Sequence, residues 1–241
     1  MKRLLLGLAA VAFVGVAVLG VEIQLARRGV DLRQAPLDLD GRVGGAGPGR
    51  RVVWLGDSTA AGVGASTPAA SLPRRVAEGQ ESSVDLRVLA VSGDRIGDVV
   101  ADQLLAVGSA DVVFVSVGAN DVTHLTSRGA FRRRYRRMLD ALPPAAEVVV
   151  LGVPDMGAPP RLAQPLRAVA GLRGRQLAGD IRSLAARSGA AFVDIDATTG
   201  PAFRRDPDRY FADDGYHPSD EGYRLWADAV LQVVRAGEAS R

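Results

Sequence analysis

The feature that most constrains the fold is an alternation, from Arg51 onward, of short apolar runs with longer segments that have helical spacing. The apolar runs, each short enough for one strand, cover residues 52–55, 86–91, 112–117, 148–153 and 191–195. The segments with helical spacing cover residues 96–107, 130–142, 166–186 and 220–234. This alternation predicts an α/β fold in which helices cover both faces of a parallel sheet. We therefore expect a three-layer α/β/α sandwich around a five-stranded parallel sheet.

The composition excludes several kinds of site. The chain has no cysteine and only two histidines, which excludes disulfides and thiolate chemistry and argues against a histidine-rich zinc site. No cofactor or metal is expected. The formal charge of +3 comes from residues 1–28, because the remainder of the chain is neutral overall. A near-neutral domain gives no electrostatic reason to expect nucleic-acid binding.

The N-terminal segment, residues 1–28, is predicted to be a membrane anchor or an export signal. A basic start at Lys2 and Arg3 precedes an 18-residue run, residues 4–21, without charged or strongly polar side chains. A signal-peptide hydrophobic region usually has about 7 to 15 residues and a spanning helix about 20, so the length favours an uncleaved N-terminal hydrophobic helix. We expect a single-pass protein of the cell membrane whose folded domain is extracytoplasmic; the alternative is secretion after signal cleavage.

The next segment, residues 29–50, is predicted to be a linker. It contains two prolines and a cluster of glycines, and it has no apolar periodicity. The folded domain is therefore expected to span residues 51–236.

Residues 51–64 carry the first candidate for chemistry. A β-branched and aromatic run ends abruptly at Gly56-Asp57-Ser58-Thr59. Glycine can adopt backbone angles that other residues avoid, and the small residues after Ser58 are expected to let the chain turn tightly into a helix. This geometry places the Ser58 hydroxyl at the carboxyl end of a strand, where open α/β sheets bind ligands. A serine in this position alone is more often a turn residue or a helix cap.

Three further polar motifs change this interpretation. They are Ser-Gly-Asp at residues 92–94, Gly-Ala-Asn-Asp at residues 118–121 and Asp-Gly-Tyr-His-Pro-Ser at residues 214–219. The first two follow predicted strands, and the third precedes the last predicted helix, so all of them converge on one edge of a parallel sheet. Asp214 and His217 supply a carboxylate and an imidazole, which together with Ser58 complete a nucleophilic triad.

Taken together, the four motifs resemble those of the SGNH hydrolases, the GDSL-like esterase and lipase superfamily. The resemblance covers nearly all of residues 51–234 and implies a flavodoxin-like fold and ester hydrolysis. It also implies a catalytic triad of Ser58, Asp214 and His217, and an oxyanion hole formed by Ser58, Gly93 and Asn120. Losing one oxyanion donor typically costs about 10² to 10³ in turnover, so Asn120 is expected to matter nearly as much as the triad.

The sequence departs from the pattern of this superfamily at two places. Thr59 occupies a position where leucine is frequent, and the second motif lacks the asparagine that often precedes Gly93. Each motif also has a structural alternative, because Ser58 and Asn120 could be helix caps, Gly93 a turn residue, and His217 a surface residue. We expect Asp57 and Asp121 to shape the loops by hydrogen bonding.

These observations predict a membrane-tethered or secreted serine esterase or lipase that forms an acyl-enzyme. The alternatives are an acyltransferase that uses the same residues on a cell-envelope sugar or lipid, and a surface binding module without turnover. The expected partner is a small-molecule, lipid or acylated-glycan ester, with the acyl length open. Specificity in such folds lies in loops, here expected at residues 155–165 and 198–211.

Overall fold

The computed structural model describes residues 36–44 and 49–239. The N-terminal helix expected within residues 1–28 lies outside the described residues and stays a prediction. Across the two described ranges, no helix is both long enough and apolar enough to span a bilayer.

A six-stranded sheet forms the central layer of the molecule. Its strands are β1 (Gly41–Val43), β2 (Arg50–Gly56), β3 (Val84–Val88), β4 (Val112–Ser116), β5 (Glu147–Leu151) and β6 (Ala191–Val193). Their order across the sheet is β1-β3-β2-β4-β5-β6, with β2 to β6 parallel and β1 antiparallel to β3. The predicted five parallel strands are therefore confirmed.

Helices pack on both faces of this sheet. They are α1 (Leu72–Glu78), a composite helix α2 (Ile96–Asp98, Val99–Gln103 and Leu104–Ala106), α3 (Ala119–Thr123), α4 (Arg128–Ala141), α5 (Leu166–Ser188), α6 (Ile195–Arg205), α7 (Pro207–Tyr210) and α8 (Asp220–Ala239). Successive residues of β2 point to opposite faces, as the pleat requires. Trp54 stacks on Phe114 with ring centroids 4.6 Å apart, in the core that includes residues of α1, α6 and α8. Leu55 lies in the opposite core with residues of α2, α4 and α5, which confirms the three-layer α/β/α architecture.

The sheet has one strand that the sequence pattern does not predict. Strand β1 lies within the expected linker, and it pairs Gly41 with Leu86 and Val43 with Val84. Leu39, just before it, is buried. A three-residue edge strand is too short to give an apolar alternation, so composition alone indicated a linker.

Three local predictions differ from the structure. After Ser58 the chain forms hydrogen-bonded turns, in which the Val63 amide donates to the Ser58 carbonyl, and helix α1 begins only at Leu72. The predicted strand at residues 191–195 ends at Val193, because the Asp194 carboxylate accepts a hydrogen bond from the Ala197 amide and caps α6. Helices α6 and α7 occupy most of residues 198–211, where a loop is expected.

Candidate active site

Ser58 lies in a tight turn at the carboxyl end of β2. The Asp57 amide donates a hydrogen bond to the Ser116 carbonyl of β4, at 3.0 Å, which continues the pairing of β2 with β4 up to the residue before Ser58. Gly56 has φ +154°, and a Cβ at this position would lie 2.1 Å from the Ser116 carbonyl oxygen. Only glycine fits here, because the β2 backbone approaches β4 too closely for any side chain.

Asp214 and His217 lie in a loop whose ends are held together by backbone pairing. Phe211 and Pro218 form an antiparallel bridge, and the Ala212 amide donates to the His217 carbonyl at 2.8 Å. Inside the loop, one oxygen of the Asp214 carboxylate accepts the amides of Tyr216 (2.9 Å) and His217 (3.0 Å). These bonds fold the loop around the carboxylate and leave its second oxygen for the imidazole.

The structure brings Ser58, His217 and Asp214 into one hydrogen-bonded chain. His217 Nε2 lies 2.9 Å from Ser58 Oγ, and His217 Nδ1 lies 2.6 Å from Asp214 Oδ2. A neutral imidazole with its proton on Nδ1 donates to Asp214 and accepts from the serine hydroxyl. Burial alone would raise the pKa of Asp214, but hydrogen bonds from the His217 ring and from two loop amides lower it, so the carboxylate stays ionised.

The other two residues of the expected oxyanion hole lie in adjoining turns. Gly93 is exposed in the turn after β3, with φ +93°, and Asn120 lies in the first turn of α3, directly after β4. The Asn120 side-chain amide donates to the Asp94 carbonyl at 3.0 Å, which ties these two turns together. Among the described residues, neither the Ser58 amide nor the Gly93 amide has a hydrogen-bond acceptor, so both remain available to a ligand.

The order and geometry of these motifs agree with a family comparison. The model of the GDSL-like Lipase/Acylhydrolase family matches residues 54–225, which is most of the chain. This chain belongs to the GDSL-like lipase/acylhydrolase family.

Relatives of known name or structure extend this comparison. The chain is 33% identical over 189 residues to the GDSL-like esterase Rv1075c of Mycobacterium tuberculosis; the match covers 75% of this chain and 60% of that relative. The fold is similar to a lipase/acylhydrolase from Enterococcus faecalis (TM-score 0.60, 21% identity, 78% of this chain and 96% of that one). It is also similar to the acetylxylan esterase Axe2 of Geobacillus stearothermophilus (TM-score 0.60, 18% identity, 78% and 95%).

Two buried aspartates of this GDSL-like chain hold the loops of the site. Asp57 accepts hydrogen bonds from the amide (3.1 Å) and the hydroxyl (2.9 Å) of Thr59. Burial raises the pKa of Asp57 to about 6, although the bonds from Thr59 oppose this shift. Asp121 accepts the Ile96 amide at 2.9 Å, which ties α3 to α2. Both aspartates thus make the structural hydrogen bonds expected of them.

Two residues near the site carry no sequence signal. Gln103, in the middle of α2, is buried and hydrogen bonds to the Gly56 backbone and to Asp94. Arg161, in the loop after β5, places its guanidinium 3.8 Å from Asp214 Oδ2. Neither lies in a recognisable motif, and both reach the site only through the tertiary fold.

Within residues 36–44 and 49–239, no group of three or more His, Asp or Glu side chains converges on one point that could hold a metal ion.

Proposed function

We propose that this chain is a serine esterase that hydrolyses carboxylic esters through an acyl-enzyme on Ser58. The observation that carries this proposal is the unbroken chain of hydrogen bonds from Asp214 through His217 to the Ser58 hydroxyl. A buried serine that served only as a helix cap would have no need of an imidazole oriented by a buried carboxylate. Family membership supports the same reaction class.

In the first half of the reaction, Ser58 Oγ attacks the ester carbonyl carbon while its proton passes to His217 Nε2. A bond forms between Oγ and the carbon, and the carbonyl electron pair moves to the oxygen, which becomes an oxyanion. The free amides of Ser58 and Gly93 and the Asn120 side chain are the donors proposed to hold that charge. His217 then gives its proton to the ester oxygen, the bond between carbon and oxygen breaks, and the alcohol leaves.

In the second half, water replaces the alcohol. His217 removes a proton from the water, whose oxygen attacks the acyl carbon, and the returning proton releases Ser58 and a carboxylic acid. Asp214 keeps the imidazole in the required tautomer and stabilises the imidazolium that forms in each half. Its lowered pKa fits this role, because only the ionised carboxylate can stabilise a positive ring.

The test is covalent labelling of the full-length chain with a fluorophosphonate, together with hydrolysis of p-nitrophenyl acetate. Ser58→Ala is expected to abolish labelling and to lower turnover by about 10⁴-fold or more. Ser183→Ala is the matched control, because Ser183 is an exposed serine of α5 far along the chain from every motif. Labelling of Ser58→Ala at the rate of the unaltered chain would contradict the proposal.

A further inference from the structure

The two outer layers of the sandwich carry opposite charges. Helix α4 contains six arginines and one acidic residue, which gives it a net charge of +5. Helix α8, in the core on the opposite face of the sheet, contains two arginines and four acidic residues, a net charge of −2. Because the chain outside residues 1–28 is neutral overall, its charge is separated between two faces. A domain polarised in this way turns its positive layer toward an anionic surface.

Helix α5, which packs beside α4, extends the positive layer. It contains five arginines and one acidic residue, Asp180. Asp180 is buried between the two helices, where it accepts a hydrogen bond from Arg128 at 2.9 Å and lies 3.6 Å from Arg132. On the other side of α4, helix α2 contributes Asp98 and Asp102. These acids are too few to balance the arginines of α4 and α5.

Three arginines of α4 form its outward surface, which we call the basic face: Arg133, Arg136 and Arg137. Their spacing places them on one side of the helix. All three are exposed. Across residues 36–44 and 49–239, no carboxylate lies within 4.0 Å of their guanidinium groups, and Asp140 is the one acid of the same helix. Exposed arginines are often simply solvated, so the basic face alone does not indicate a ligand.

Two exposed leucines adjoin the N-terminal end of α4. Leu125 lies in the turn before this helix and is 51% exposed, and Leu172 lies on α5 and is 53% exposed. The Arg173 guanidinium donates to the Thr126 carbonyl at 2.8 Å, which ties α5 to this turn directly beside both leucines. Exposed leucines next to a row of arginines are typical of surfaces that bind lipid bilayers.

Leu125 has a backbone conformation that leucine usually avoids. Its φ is +56°, and it follows His124, the residue that ends α3. Left-handed residues after a helix are usually glycine or asparagine, because a Cβ is unfavourable there. The chain accepts this strain at Leu125 and yet leaves half of the side chain exposed. This combination indicates a contact of Leu125 outside the described fold.

An anionic bilayer offers groups that match both features. Arginine binds phosphate through paired hydrogen bonds, and leucine can enter the acyl-chain boundary, which a nucleic acid does not have. The sequence also predicts a membrane anchor in residues 1–28. Residues 22–35 separate its apolar run from the described fold, and fully extended they span at most about 50 Å. An anchor of this kind keeps the domain within reach of the bilayer.

We propose that the basic face, together with Leu125 and Leu172, docks this domain on a bilayer that contains anionic phospholipid. The arginines contact lipid phosphates, and the two leucines enter the acyl-chain boundary. Because Leu125 directly follows α3, which carries Asn120, docking brings the catalytic edge of the sheet close to the bilayer. No residue of this surface belongs to the candidate active site, so the inference does not depend on the serine mechanism.

The test uses a dye whose emission depends on its surroundings. The chain has no cysteine, so Leu125→Cys gives the full-length chain one attachment site. The labelled chain is combined with vesicles of phosphatidylcholine, with or without about 30% phosphatidylglycerol. We expect the emission to shift to shorter wavelength only with phosphatidylglycerol, and high salt to reverse the shift. Asp228→Cys, at an exposed position of α8, is the control and is expected to show no shift.

Removal of the charge tests the basic face directly. Each arginine near an anionic membrane contributes about fivefold to binding, so replacing all three by glutamine is expected to lower the ratio of docked to undocked chain about 100-fold. The ratio is read from the emission of the dye at position 125. The matched control removes the same charge from exposed positions of α7 and α8, through Arg209→Gln, Arg224→Gln and Arg235→Gln, and is expected to keep the ratio of the unaltered chain.

Four results would overturn the proposal. They are no shift with phosphatidylglycerol, an equal shift with phosphatidylcholine alone, an undiminished shift after the arginines of the basic face are replaced, and an equal loss in the control. A response of the dye to duplex DNA but not to anionic vesicles would assign the basic face to a polyanion in place of lipid. Fluorophosphonate labelling of Ser58 in the same samples tests the serine mechanism separately.

Discussion

Gln103 hydrogen bonds to both backbone groups of Gly56, the residue two positions before the proposed nucleophile. Its side-chain oxygen accepts the Gly56 amide at 2.8 Å, and its side-chain nitrogen donates to the Gly56 carbonyl at 2.8 Å. The same nitrogen donates to Asp94 at 2.7 Å, next to Gly93. One buried amide thus connects the turn that carries Ser58 with the turn that carries a proposed oxyanion donor.

Replacement of Gln103 by methionine keeps the side-chain length and removes all three hydrogen bonds. We expect Gln103→Met to lower the free energy of unfolding by about 1 to 3 kcal/mol, because the buried Gly56 amide loses its acceptor, whereas the Gly56 carbonyl keeps its bond from the Val91 amide. We also expect kcat to fall more than KM rises, since the turn of Ser58 loses its support. Urea unfolding and steady-state kinetics measure both effects. Gln176→Met is the control, because Gln176 is an exposed residue of α5. Equal kcat values for Gln103→Met and Gln176→Met would contradict a role for Gln103 in positioning Ser58.

Replacement by alanine is expected to cost very different amounts of stability at two glycines of the site. A Cβ at Gly56 would lie 2.1 Å from the Ser116 carbonyl oxygen, whereas a Cβ at Gly93 meets no atom within 4 Å. Gly56→Ala is expected to cost about 4 kcal/mol or more, because backbone must move. Gly93→Ala carries only the strain of its positive φ, about 1 to 3 kcal/mol. Thermal unfolding of both variants tests whether Gly56→Ala loses more stability than Gly93→Ala. A Gly93→Ala variant less stable than Gly56→Ala would contradict this prediction.

The central strands β2 and β4 could be predicted from the sequence because they are buried on both faces. Strand β4 is buried at every position, and such strands appear as continuous apolar runs between polar turns. Strand β1 could not be predicted in the same way. Its burial depends on pairing with Val84 and Leu86 rather than on its own composition, and only Val43 of its three residues is buried.

In the candidate site, too, some residues could be predicted from local sequence motifs, whereas others reach the site only through the tertiary fold. Ser58, Asn120, Asp214 and His217 lie in short motifs at strand ends or before a helix, where residue type and spacing carry information. Gln103 lies among ordinary helical residues, and nothing in the sequence predicts that α2 turns it toward Gly56. The position of residues 36–40, where Leu39 is buried and Asp40 accepts the Val88 amide, depends likewise on packing that composition does not encode.

Removal of the Asn120 side chain tests the proposed oxyanion hole. Its amide nitrogen carries two hydrogens, and the bond to the Asp94 carbonyl uses one of them, so the second can reach a ligand. We expect Asn120→Ala to lower kcat by about 10² to 10³ with a small change in KM, because the bond forms mainly in the transition state. Thermal unfolding measured in parallel shows whether the fold survives. A folded variant whose kcat stays within twofold of the unaltered chain would rule out this donor.

The buried Asp57 is expected to make stability depend on pH. Burial raises its pKa in the folded chain to about 6, from 3.8 for an unperturbed carboxyl. Between about pH 4 and pH 6 the folded chain holds a proton that the unfolded chain releases, so this group's contribution to stability falls as pH rises through that window. A shift of this size corresponds to about 3 kcal/mol.

The variant Asp57→Asn removes this titration and keeps an oxygen that can accept from Thr59. Its free energy of unfolding is therefore expected to decline less between pH 4 and pH 6.5 than that of the unaltered chain, whatever the constant cost of the substitution. Urea unfolding at pH 4 and pH 6.5 gives the change in the free energy of unfolding between these pH values for Asp57→Asn and for the unaltered chain. Asp140→Asn on the surface of α4 is the control. Because only the change with pH is compared, a uniform loss of stability does not imitate the effect. Parallel pH profiles for Asp57→Asn and the unaltered chain would show that Asp57 is ionised in the folded protein across this range.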